Sequence, residues 1–68
     1  MRQTERRART RAALLRAALA AFAERGYEGA SIDTIAATAG LSKGAVYANF
    51  PNKLDLYLAV KLDRQAHV

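Results

Sequence analysis

Apolar residues recur at helical spacing in four blocks, parted by glycine, serine and proline. In the first block Leu15, Leu19 and Phe22 form a stripe, with Leu14 and Ala18 beside it. This predicts a helix from about Thr10, or from earlier in the basic arm, to Arg25, with Gly26 as its left-handed C-terminal cap. Tyr27 is expected to fold back onto the last turn, and Gly29 to mark a second bend. Ser31 is a good N-cap for a second helix, where Ile32, Ile35, Ala36 and Ala39 keep the i, i+3, i+4, i+7 spacing. Gly40 stops that helix, Leu41 plugs the turn, and Ser42 caps a third helix from about Lys43 to Phe50. Pro51 bars its continuation and biases Phe50 away from helical geometry. Asn52 and Asp55 then read as a partial capping box for a fourth helix. Leu54, Leu58 and Leu62 make its expected stripe, with Tyr57 alongside, and it has no stop signal before Val68.

The expected fold class is all-α: a three-helix bundle containing a helix-turn-helix, plus the start of a fourth helix. Residues 1–9 are expected as a basic arm, 10–50 as the helix-turn-helix unit, and 51–68 as the beginning of the fourth helix. A chain of 68 residues is one small domain and buries only about 60% of the surface its unfolded form exposes. Its hydrophobic share of 51% is rich in alanine, so the core between the helices is thin and leaves no room for a deep substrate cavity. There is no cysteine, hence no disulfide framework and no thiolate metal site. No apolar run approaches the roughly 20 residues of a membrane span.

Charge is concentrated at one end. Of 11 Lys and Arg, six arginines lie in residues 1–16 against Glu5 alone, so this stretch carries the whole net charge of +5. Arginine suits phosphate because its planar fork can bond two oxygens. The stretch is also Arg-rich and acid-poor in the manner of a transit peptide, yet it lacks serine and leads directly into the helical pattern.

The segment from Ile32 to Phe50 reads as a helix-turn-helix. Ala36 allows close approach of its helices, and Leu41 and Val46 close the core between them. Lys43 and Lys53 fall in the first turns of the third and fourth helices, where a cation is mildly disfavoured by the helix dipole. An external polyanion would compensate both. On a helical wheel Val46 and Phe50 point inward. Gly44 and Ala48 point outward, flanked by Ala45 and Tyr47, with Lys43 and Asn49 nearer the core edge. Small outward residues let a helix sit deep in a major groove, where an alanine methyl can meet a thymine methyl. The Tyr47 hydroxyl suits a phosphate, and Asn49 suits an adenine edge or a phosphate. Arg, Gln and Glu are missing from this helix, which shifts the expectation towards methyl contacts and DNA shape.

The stretch Ala30 to Lys53, ASIDTIAATAGLSKGAVYANFPNK, resembles the DNA-binding domain of the TetR family of bacterial regulators. The likeness extends upstream through Ala17-Ala18, Phe22 and Gly26-Tyr27, and downstream through Leu54. The resemblance implies that the third helix is the recognition helix, with Ser42, Lys43, Gly44, Ala45, Tyr47 and Asn49 facing DNA. It further implies that Lys53 and the hydroxyl of Ser31 or Thr34 contact the backbone. The basic arm, through Arg7, Arg9 and Arg11, is expected to add phosphate contacts. Two positions depart from the pattern. Ala48 is smaller than the usual residue, and Asp33 stands on the exposed second helix, where its expected role is helix capping.

By the same resemblance, the implied function is a sequence-specific DNA-binding domain of a cytoplasmic, nucleoid-associated regulator, a ligand-released repressor. Its implied partner is a palindromic double-stranded operator read by a homodimer. The dimer and a small-molecule effector site would belong to a C-terminal domain joined through the fourth, linking helix. These 68 residues are therefore expected to be the DNA-reading part of something longer. No catalytic residue, cofactor or metal site is expected: His67 is the only histidine, and the carboxylates are scattered singly. The alternative is a basic amphipathic module binding an anionic membrane or a partner protein. It accounts for residues 1–25 and leaves the second and third helices unexplained.

Overall fold

The computed structural model describes residues 3–66 and contains four helices and no strand among them: α1 (Gln3–Gly29), α2 (Ile32–Ala39), α3 (Lys43–Asn49) and α4 (Lys53–Ala66). His67 lies outside the described residues. α1 packs against both α2 and α4, and α2 packs against α3. α1 is therefore the element that joins the helix-turn-helix to α4.

Each boundary has a local cause. Ser31 caps α2, its Oγ accepting from Thr34 N at 3.1 Å. Gly40 ends α2 in the left-handed region (φ 73°, ψ 31°), where its N–H bonds Ala37 O and the N–H of Leu41 reaches Ala36 O at 2.9 Å. This pairing satisfies carbonyls that the helix end would leave open. Ser42 caps α3 through Ala45 N at 3.1 Å, and Phe50 leaves it in extended geometry ahead of Pro51. The Asn52 Oδ1 accepts from Asp55 N at 2.8 Å and starts α4.

The first helix takes the earlier of its two expected starts, and its break at Gly26 has an unexpected geometry. It runs through the basic stretch expected as an arm, so that stretch is a helical extension. At the other end the regular helix breaks at Gly26 as expected, but not in the expected conformation. Gly26 has φ 76° with ψ 172°, a positive-φ kink rather than a left-handed cap, and one more turn follows. Ala30 N–H closes that turn on Gly26 O at 3.1 Å. Tyr27 folds back as expected and stacks on Phe22, ring centroids 6.0 Å apart. Gly29 sits where an added Cβ would come within 3.1 Å of the Arg25 Cβ.

The core joins Leu14, Ala18 and Phe22 of α1, Ile35 and Ala36 of α2, Val46 of α3, Phe50, and Leu56 and Val60 of α4. Leu15 and Leu19 pack at its edge instead of its centre. The larger correction concerns α4. Leu54, Leu58 and Leu62, the expected stripe, are 51%, 47% and 65% exposed, whereas Leu56 is fully buried. Tyr57 decides this register. Its ring meets Phe22 and Tyr27 edge-on at 5.1 Å each, which turns Leu56 and Val60 inward with it.

Candidate nucleic-acid interface

α3 presents an outward surface of small groups. Gly44 and Ala48 are exposed, Ala45 is half-buried, and Tyr47 is 44% exposed between them, while Val46 and Phe50 are buried on the opposite side. The exposed face holds little that water would favour and nothing that would block close approach.

The hydroxyls of Ser42 and Thr34 each keep a proton for an outside acceptor. Ser42 accepts the Ala45 N–H, which leaves its own O–H for an external acceptor. Ser31 donates to Thr34 Oγ1 at 2.9 Å while accepting from Thr34 N, so the Thr34 hydroxyl is the one of the pair with a free proton. Asn49 is half-buried and turns one N–H of its amide back to Ala45 O at 2.9 Å, leaving Oδ1 and one N–H for an outside partner.

Both lysines have partners within the protein. Lys43 pairs with Asp33 at 3.1 Å across the turn, and this carboxylate raises the Lys43 pKa. Asp33 thus acts as an ion-pair partner; the capping role expected of it belongs to Ser31. Lys53 is half-buried and donates to Tyr27 O at 2.7 Å and Ala30 O at 2.9 Å, with its ammonium 4.5 Å from the Tyr27 ring centroid. The misfit of these cations with the helix dipole therefore has an internal explanation and no longer requires a polyanion.

The basic stretch is divided by the helix that carries it. Arg6, Arg7 and Thr10 line a shallow cleft whose other wall is Ala45, Ala48 and Asn49 of α3. Arg11 instead lies over the Phe50 ring, 4.8 Å from its centroid, and Arg9 is exposed without lining the cleft. Arg6 and Thr10 were not among the expected contacts. The face of Ala17 and Leu14, continued back at helical spacing, reaches Thr10 and then Arg7 and Arg6. That signal is present in the sequence once the arm is read as helix.

Among the described residues no group of three or more His, Asp or Glu could hold a metal ion, and no helix is long and apolar enough to cross a membrane. Comparison with known proteins decides the class. The profile of the tetR family of bacterial regulatory proteins matches residues 14–60, most of the chain. The chain belongs to the TetR family. Its members are DNA-binding transcription regulators of the helix-turn-helix type, not enzymes. It is 52% identical over 50 residues to the HTH-type transcriptional activator FasR of Mycolicibacterium smegmatis, covering 74% of this chain and 23% of that protein. It is 44% identical over 57 residues to the regulator CymR of Pseudomonas putida, covering 84% and 28%, and 41% identical over 61 residues to the repressor BepR of Brucella suis, covering 88% and 29%. The TetR-family chain thus spans about a quarter of the length of these curated relatives. No solved structure gives a significant match.

Proposed function

We propose that this chain is the sequence-specific DNA-binding domain of a bacterial transcription regulator, with α3 entering the major groove. The observation that carries this reading is the bare outer face of α3 beside the Arg6–Arg7 wall of the cleft. Gly44, Ala45 and Ala48 permit depth in the groove and methyl contacts, and Tyr47, Lys43, Ser42 and Thr34 supply donors for phosphates and bases. Asn49 contributes through its remaining amide groups. Arg6 and Arg7 attract phosphate from the adjoining wall, with Arg9 as a more distant positive charge.

The whole regulator is proposed to be a cytoplasmic, nucleoid-bound homodimer reading two half-sites, and a repressor released by a small effector. Dimer and effector contacts belong to residues beyond this chain. The uncovered Leu54, Leu58 and Leu62 ridge of α4 supports this reading, since it offers further helices an apolar seat.

The test uses a duplex enriched by this chain from a random pool. Tyr47→Phe and Lys43→Ala are each expected to weaken its binding, followed by fluorescence anisotropy, with melting temperature nearly unchanged. Loss of melting temperature in either would make that residue part of the scaffold. Binding to anionic vesicles but to no duplex would favour the membrane module.

Gly44 supplies an independent check. A Cβ built there meets nothing nearer than Ser42 Oγ at 3.9 Å, so the fold has room for it. Gly44→Ala should therefore stabilise α3 by up to about 1 kcal/mol, while its methyl weakens binding to the enriched duplex. A variant that is more stable and binds equally well would mean that this face does not approach DNA closely.

A further inference from the structure

We propose that Asp33 and Lys43 form a specificity-determining pair that reads the major-groove edge of one G·C base pair. The inference rests on the DNA-reading function proposed above and gives a role to Asp33, which that reading leaves unused. Asp33 lies in the first turn of α2, and Lys43 opens α3, the helix proposed to enter the groove. Their charged ends meet at 3.1 Å across the turn, with the Lys43 and Asp33 side chains 56% and 72% exposed.

Stability does not account for this pair. An ion pair so open to solvent contributes little, and Ser31 already caps α2. A lone carboxylate at a DNA-facing surface would be repelled by phosphate, and Lys43 offsets that charge. The contact uses one N–H of the ammonium and one carboxylate oxygen. Two N–H donors and Asp33 Oδ2 are left for outside partners. The surface therefore presents a donor and an acceptor side by side.

A G·C base pair presents the complement. In the major groove guanine offers N7 and O6 as acceptors, and cytosine offers its N4 amino group as a donor. O6 and N4 are hydrogen-bonded to each other within the base pair, at about 2.9 Å. That spacing matches the 3.1 Å between Lys43 Nζ and Asp33 Oδ1. The ammonium can donate to O6 and N7 while the carboxylate accepts from N4. Reversing the base pair sets ammonium against amino group and carboxylate against carbonyl, and both contacts repel. A T·A pair keeps the central acceptor and donor but has a methyl group where guanine has N7, so the ammonium loses a bond.

The experiment enriches random duplex pools with the wild-type chain, Asp33→Ala and Lys43→Ala, and compares base preference position by position. One position is expected to prefer G·C in the wild type and to be relaxed in both variants. Reversing that base pair in the enriched duplex is expected to cost the wild type about tenfold in affinity, and Asp33→Ala about threefold or less. If Asp33→Ala relaxes no position, or a different one from Lys43→Ala, the proposal is overturned. A shared position occupied by an A·T pair overturns it too. A uniform gain in affinity for every sequence, with steeper salt dependence, would make Asp33 a mask over Lys43 and refute base reading. If Asp33→Ala is not folded by circular dichroism, Asp33→Ser, which suits a helix start, is judged by the same outcomes. If the wild-type chain enriches no duplex, the proposed function fails and this inference falls with it. An enriched duplex without the shared position overturns this inference alone.

Discussion

Leu56→Ala is expected to destabilise the fold by about 2–5 kcal/mol, while Leu58→Ala, two residues along the same helix, should change it by less than about 0.5 kcal/mol. Leu56 has no exposed surface and lies in the core cluster on the side of α4 that packs against α1, so truncation leaves a cavity that neighbours fill only in part. Leu58 is 47% exposed and loses little that water had not already reached. A domain of this size has roughly 3–10 kcal/mol of stability in total, so Leu56→Ala is expected to be substantially unfolded at room temperature. Urea titration followed by circular dichroism reads both variants. Equal losses would mean that α4 is rotated from the position described, with the Leu54–Leu58–Leu62 ridge towards α1.

Gly26→Ala has the next largest expected effect, a loss of about 1–3 kcal/mol. The cause is purely backbone. An added Cβ meets nothing within 4 Å, yet φ 76° with ψ 172° is a region that only glycine enters without strain. This separates the prediction from a packing effect and supplies a control. In a chemically synthesised chain, D-alanine at position 26 finds these dihedrals in its own favoured extended region and should preserve or raise stability. Thermal melting of the three proteins gives the order expected: L-alanine lowest, with glycine and D-alanine above it. If both alanines destabilise equally, the conformation of Gly26 is not what requires glycine there.

Much of the fold could be read from the chain because its signals are local. Ser31, Ser42 and Asn52 cap the helices expected of them, Gly40 takes the left-handed turn, and Pro51 ends α3. The face of α4 was not legible, because two registers compete there. Leu54, Leu58 and Leu62 form the more apolar series by count, but Leu56 and Val60 share a face with Tyr57, and the three-ring contact with Phe22 and Tyr27 is a tertiary preference. The outer face of α3 followed from one wheel, since Val46 and Phe50 leave few choices for so short a helix. The lysines did not follow. Helix-end electrostatics identifies a cation out of place but not its partner, and for Lys53 the partners are the carbonyls of Tyr27 and Ala30, at and just past the end of α1. The start of α1 is weakly marked in the sequence, and only the register continued from Leu14 back to Thr10 and Arg6 carries the helix through the arginine cluster.

The distribution of tyrosines makes the protein its own optical instrument. It has three tyrosines and no tryptophan. Tyr27 and Tyr57 are locked together at 5.1 Å in the ring cluster, where asymmetric packing gives rise to near-ultraviolet dichroism that vanishes when tertiary structure is lost. Tyr47 stands apart on the outer face of α3, open to solvent and to quenching by whatever settles there. All three tyrosines emit, so the two separable signals are dichroism for the scaffold and the solvent-quenchable part of the emission for the surface. A change in the second without the first distinguishes occupation of that surface from loss of the fold, with no label attached.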